Sequence, residues 1–176
     1  MSSGKASTPY PPSLDASLLR AREMLLAATP VAEVLTFLAL LAESVAPEGS
    51  AASILALDKE GLLRNAASPR LPADYLDAID RLKPDANVGT CAAAAATGQI
   101  VLTPDFTADA KWAELKHLPL AIGYRSAWSI PIKGAAGKVL GTFGTYYREP
   151  RTPSDEELAA TTRLAELAAS ALAKRH

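Results

Sequence analysis

The chain has 176 residues, 49% hydrophobic and 21% charged, with 18 basic residues against 19 acidic ones and a net charge of -1. That length supports a single domain with a core of its own. The composition excludes a disordered chain, and the balanced charge, with no basic patch, excludes a nucleic-acid surface. The opening MSSGKASTPYPPS has no apolar core. It reads as a flexible arm over residues 1–13 and not as a secretory leader, with one domain over residues 14–176. No apolar run reaches the roughly 20 residues that span a bilayer, so no membrane partner is expected. One cysteine, Cys91, can form neither an internal disulfide nor a multi-thiolate metal site. A cytoplasmic location without metal or cofactor follows.

Leu14, Leu18, Leu25 and Leu26 share one face of a helix predicted over residues 14–28. Thr29 then reads as a cap and Pro30 as the first position of a second helix. That helix runs to Val45 with Val31, Val34, Leu35, Leu38 and Leu41 as its stripe. The stretches AASILALD and LLRNAAS, joined by KEG, predict a hairpin. LPADYLDAIDRL predicts a short helix closed by Pro84. A helix through the alanines after Cys91 is capped by Asn87 or Thr90 and stopped by Gly98. QIVLT is a short strand, and residues 104–123 are a partly helical excursion. YRSAWSIPIK and KVLGTFGTYYR, joined by GAAG, predict a second hairpin. The last helix carries Thr152 as cap, Pro153 at its first position and Asp155, Glu156 and Glu157 at the positive end of its dipole. Hairpins imply antiparallel pairing. The whole is an α+β fold whose terminal helices must dock on the sheet, on each other or on a partner chain.

VGTCAAAAATGQIVLTPDFTADAKW, GYRSAWSIPI and GKVLGTFGTYYREPRTPSDEEL, in that order and spacing, resemble the bacterial GAF domain. The resemblance covers the chain from Ala51 onward, and ASILALD and LPADYLDAID fit its first half. It implies a GAF-like α+β fold with a central antiparallel sheet of about six strands. N- and C-terminal helices would lie on one face and a ligand pocket on the other. It also implies a small-molecule sensory or regulatory role in cytoplasmic, two-component-like signal transduction, and dimerisation through the terminal helices. The chain departs from the family pattern at three places. Ser-Cys-Gly is Thr90-Cys91-Ala92, Asp-Ile is Asp105-Phe106, and Asp-Pro-Arg-Trp is Asp109-Ala110-Lys111-Trp112. The bulkier Phe106 changes the shape of the expected pocket.

The alanines admit two compatible readings. Alanine is the best helix former, so a thin helix packs closely on a sheet. Alternatively, the helix start faces a cavity, Gly89 permits close backbone approach, and free N–H groups near Cys91, Ala92 and Ala93 hold an anion or a carbonyl. Cys91 is a nucleophile or redox sensor only if its pKa is lowered. With no second cysteine to resolve an oxidised thiol, a buried, inert residue is the favoured reading. Tyr124, Ser126, Trp128, Ile130 and Ile132 share one strand face. That face is the favoured core contact, leaving Arg125 and Ser129 toward the pocket. Trp112 is either a lid or an anchor for a long loop. Asp105 either contacts ligand or caps a turn. His117 has no partner ligands and reads as a surface residue.

The ligand-binding expectation therefore comprises Gly89, Thr90, Cys91, Ala92, Asp105, Phe106, Trp112, Arg125 and Ser129. No catalytic set is found, so no enzyme is expected. The ligand class is a small anion, nitrate included, or a polar metabolite. Partners are the small-molecule ligand, a second copy through residues 14–45 and 155–173, and a signalling kinase or other output protein. The alternative is a dimerisation or relay module with no ligand. A reductase for free methionine-(R)-sulfoxide, an enzyme branch of the family, uses several cysteines, and the single Cys91 argues against it.

Overall fold

The computed structural model describes residues 13–174, so the arm expected at residues 1–13 lies almost wholly outside the described residues. Ser13 opens helix α1 (Leu14–Leu26) by accepting the Ala16 N–H at 3.2 Å. Ala28, at φ +61°, turns the chain toward α2 (Val31–Val45). The cap expected at Thr29 is absent. Pro30 is itself the flanking residue, its carbonyl accepting the N–H groups of Glu33 and Val34. Next come β1 (Ala51–Leu57), β2 (Leu63–Ala67), α3 (Ala73–Ala78), α4 (Cys91–Thr97) and β3 (Val101–Thr103). A 3-10 turn at Ala110–Trp112 and α5 (His117–Ala121) fill the excursion, followed by β4 (Ser126–Lys133), β5 (Val139–Tyr147) and α6 (Asp155–Ala173).

The sheet is antiparallel in the order β2-β1-β5-β4-β3. It has five strands among the described residues, one fewer than expected. The segment between β3 and β4 forms turns and short helix and adds no strand. The start of α6 also differs from expectation. Thr152 and Pro153 precede the helix, and Ser154 is the cap. The Ser154 hydroxyl accepts the Glu157 N–H, and the Glu157 carboxylate accepts the Ser154 N–H. Ser-x-x-Glu is the capping-box spacing, and satisfying two orphan donors reciprocally outcompetes the Thr-Pro start.

Strand alternation sorts the core. Ala52, Ile54, Ala56, Trp128, Ile130, Ile132, Phe143 and Tyr147 face α1, α2 and α6, where they pack with Leu18, Leu35, Leu38, Leu164, Leu167 and Leu172. Trp128 thus belongs to the core, 1% exposed, as its strand period implies. Tyr124 does not follow that period. It precedes β4 and joins Phe106, Trp112 and Tyr146 on the opposite side. Glu43 ties the layers together. Its buried carboxylate accepts the Ala52 N–H at 2.9 Å and faces Arg70 at 3.4 Å, and burial pushes its pKa up against those two attractions.

Candidate functional site

The opposite face of the three central strands presents mostly small groups, Ala51 and Ser53 from β1, Ala127 and Ser129 from β4, and Thr142 and Gly144 from β5, flanked by the larger Leu55 and Tyr146. Only a thin helix can lie flat on such a surface, and α4 does. Ala92, Ala93 and Ala94 are essentially without exposure, and the helix packs on β4 and β5. Cys91 sits directly over Gly144, where an added Cβ would lie 3.2 Å from Sγ. Gly98, at φ +67°, stops the helix. The alanines therefore answer first to close packing on the sheet.

At the start of α4 a small hollow remains. Tyr75 and Ile79, at the end of α3, Leu82, and Leu55 from β1 form one side. Gly89, Thr90, Cys91, Trp112, Leu115 and Tyr146 form the rest. Its volume is ≈ 20 Å³, room for about one water. The side chains that close it are fixed by directional contacts. The Trp112 indole donates to Thr90 Oγ1 at 2.8 Å, and Thr90 Oγ1 lies 2.8 Å from Thr103 Oγ1. The same indole packs against Phe106 at 4.5 Å between centroids. Gly89 suits its left-handed backbone, at φ +63°, and is not required by the nearness of the ring, which a Cβ would meet at an ordinary contact distance of 3.8 Å. The Tyr75 and Tyr146 hydroxyls are 2.7 Å apart. Burial, the largest effect, holds both phenols well above their usual values, so they stay neutral.

The hollow carries no charge. None of its lining residues is ionised at neutral pH, and the Gly89 N–H is already committed to the Lys111 carbonyl at 2.8 Å. Burial pushes the Cys91 thiol up, although the Ser129 and Thr142 hydroxyls that face it pull the other way. Those hydroxyls touch the sulfur without completing a hydrogen bond to any partner. Burial outweighs them, and Cys91 is a thiol at neutral pH.

Of the nine expected ligand-binding residues, Gly89, Thr90, Cys91 and Trp112 meet at the hollow. Phe106 lies behind Trp112, Ala92 on the buried side of α4 and Ser129 under Cys91. Asp105 and Arg125 lie apart from it. The Asp105 carboxylate accepts the Thr107 hydroxyl at 2.6 Å and the Thr107 N–H at 2.9 Å, which lower its pKa and make it a turn cap. Arg125 is exposed, just ahead of β4. Tyr75, Tyr146 and Leu115 were not foreseen there, nor were Leu55, Ile79 and Leu82. Tyr146 was within reach of the strand period, since it alternates with the helix-facing Phe143 and Tyr147. Tyr75 and Leu115 lie in short segments whose docking no local pattern states.

A larger groove of ≈ 400 Å³ lies between the β1–β2 hairpin, Leu140 and Leu172. Its guanidinium, Arg64, is tied to Asp58 and Asp80, and Lys59 adds an ammonium to the rim. No cluster of three or more His, Cys, Asp or Glu exists among the described residues.

The family model of the GAF domain matches residues 28–173. The chain belongs to the GAF domain family. The methyl sulfide methyltransferase-associated sensor of Methanosarcina acetivorans is 34% identical to it over 140 residues, 79% of this chain. The chain spans only 14% of that sensor's length. Among solved structures, the GAF domain of a phosphoenolpyruvate-protein phosphotransferase from Coxiella burnetii superposes with a TM-score of 0.72 at 19% identity, covering 92% of this chain and 93% of that one. The reduced form of fRMsr from Staphylococcus aureus gives 0.69 at 12% identity, over 92% and 96%. At those identities the likeness is one of fold. Like them, this GAF domain is an α+β sandwich with an antiparallel central sheet.

Proposed function

We propose that this GAF domain is the sensory module of a signalling protein, with the hollow beneath Trp112 as its ligand side. The uncharged lining of that hollow carries the reading. It favours a small neutral guest with an apolar body and one hydrogen-bonding group over a bare anion such as nitrate, which would lose its hydration with no cation to replace it. In the closed state described here only about one water fits, so a guest enters when the Trp112 indole leaves Thr90. The 34% identity to a protein named as a sensor supports the regulatory role. Enzymatic chemistry has little to work with, since the one cysteine is buried and protonated.

Native mass spectrometry of the purified chain, followed by thermal-shift titration, tests the proposal. Neutral phenol and indole form one arm; nitrate, chloride and sulfate form the other. A shift with a neutral probe and none with the anions is expected. No shift with any probe and no co-purified molecule would remove the ligand reading in favour of a relay module. The ≈ 20 Å³ volume of the closed hollow is the observation that supports that second reading.

Either role needs an output. Leu19, Leu26 and Leu40 on α1 and α2 are 58%, 88% and 48% exposed, and they support a homodimer through α1, α2 and α6. Light scattering on Leu26→Glu/Leu40→Glu beside the parent chain checks it, and equal masses would count against this face. No helix among the described residues is long and apolar enough to cross a membrane. A cytoplasmic site of action and a kinase or similar output protein complete the proposal.

A further inference from the structure

The two faces of the sheet meet in consecutive residues of β5. Tyr146 turns into the hollow, where its hydroxyl meets that of Tyr75 at 2.7 Å. Tyr147 turns to the helix side and is 1% exposed. Its hydroxyl accepts the Trp128 indole N–H at 2.8 Å and donates to Glu157 Oε2 at 3.3 Å. Burial, and after it the Glu157 charge, hold this phenol well above its usual value, so it remains a donor.

Glu157 gathers what surrounds it. Its Oε1 accepts the Ser154 N–H at 2.7 Å and the Arg151 guanidinium at 2.8 Å. Arg151 in turn lies over the Tyr147 ring at 4.4 Å. A carboxylate buried this far is tolerated only while its donors stay in place, because each lost donor strands a desolvated oxygen. Loss of a donor therefore weakens the closed first turn of α6 relative to one in which the carboxylate reaches water. The strand between the two rings is firmly held and moves as one piece: Tyr146 pairs with Ala51 and Ala127, Tyr147 pairs with Ser126, and the Tyr147 carbonyl accepts the Arg125 N–H at 2.8 Å.

We propose that the Tyr146–Tyr147 step of β5 is a through-strand link, and that Glu157 is the latch by which the state of the hollow opens or closes the first turn of α6. The proposal rests on the hollow being the sensory side, but the link is measurable without any guest. Separating the Tyr75 and Tyr146 hydroxyls displaces the β5 backbone at Tyr146. Tyr147 shares that peptide unit and carries the displacement to Glu157. Linkage makes the coupling reciprocal, so an opened cap weakens the Tyr75–Tyr146 contact in equal measure.

Amide hydrogen exchange on the full chain tests the link, in the parent, Tyr75→Phe, Tyr147→Phe, Glu157→Gln and the double variants of Tyr75→Phe with each of the last two. The readout is exchange of the Glu157 and Leu158 amides relative to those of Ala168 and Leu172. Tyr147→Phe and Glu157→Gln are expected to raise that ratio about tenfold, and Tyr75→Phe at least about fivefold, in the range of ordinary coupling between sites. Once Tyr147→Phe is present, Tyr75→Phe should add nothing. The Glu157→Gln pair supplies the same cycle if Tyr147→Phe does not fold. An unchanged ratio in Tyr75→Phe, an equal effect in both backgrounds, or a uniform rise along α6 would overturn the link. A guest-induced thermal shift would survive that result, and an absent guest would leave this cycle unaffected.

Discussion

The two faces of the sheet are built on different plans. On the helix side, α1, α2 and α6 run for 13, 15 and 19 residues and bury a continuous aliphatic layer against Ile54, Ile130, Ile132 and Phe143. On the hollow side, no helix exceeds the 7 residues of α4, and the cover combines alanines, the rings of Tyr75, Phe106, Trp112 and Tyr124, scattered aliphatics such as Leu71 and Leu115, and a few hydroxyl contacts. Long apolar stripes give stability in proportion to area. Short elements joined by single directional contacts give less, and they open locally at lower free energy. The contrast assigns more of the stability to the helix face and the easier local opening to the other.

The strongest way to break that contrast is to cut each side at a large buried ring. Phe143→Ala, on the helix side, is expected to cost about 3–5 kcal/mol in urea unfolding, and a cost near 1 would erase the distinction. Trp112→Ala should cost less, about 2–3 kcal/mol, because its segment can resettle after losing the Thr90 bond. Its extra hydrogen exchange should stay within residues 104–123; spread across the helix side would contradict two separate plans. Gly144→Ala sharpens the picture between the layers. Its Cβ would stand 3.2 Å from Cys91 Sγ, an overpacking expected to cost about 1–2 kcal/mol. Adding Cys91→Ala should recover part of that loss, and no recovery would place the strain elsewhere.

Two smaller effects test the helix side alone. Ala28 holds φ +61° between α1 and α2, so Ala28→Gly should raise stability by about 0.5–1 kcal/mol, read as a higher urea midpoint at an unchanged slope. Glu43 supplies a pH signature. Its folded pKa is raised, so the stability it contributes is complete below the unfolded carboxylate range and lost as pH rises through the folded value. The stability of Glu43→Gln relative to the parent should therefore improve from about pH 4 to pH 7. A difference independent of pH would deny the titration.

What the sequence could convey divides along the same line. Helix-side stripes recur at 3.6 residues and strand faces at 2, so α2, α4, β1, β5 and the inward turn of Trp128 are legible from spacing alone. Gly98 as the stop of α4 and the acidic first turn of α6 follow from backbone and dipole chemistry that a single position reveals. The hollow is different. Tyr75, Trp112 and Tyr146 line it together from segments far apart in the chain, the two tyrosines 71 residues apart, held by hydroxyl and edge contacts that have no period. Phe106 and Ser129 are near neighbours of that hollow that do not line it, because Trp112 and Cys91 intervene. Asp105 was readable either as a ligand contact or as a turn cap, and its Thr107 bonds give it the cap. The late start of α6 was also legible: Ser154 and Glu157 hold the capping spacing, directly after the Thr-Pro pair that obscured it.

The alternation of Tyr146 and Tyr147 carries a consequence for how this chain can vary. β5 is clamped between β1 and β4, and its odd and even positions serve two incompatible environments. Deleting one residue inside it would thrust Phe143 at Cys91 and leave the aliphatic layer facing a glycine. Length changes among descendants of this sequence should therefore collect at the tip of the β4–β5 hairpin, residues 134–138, and in the stretch from 104 to 121, while the strand itself keeps its reading frame.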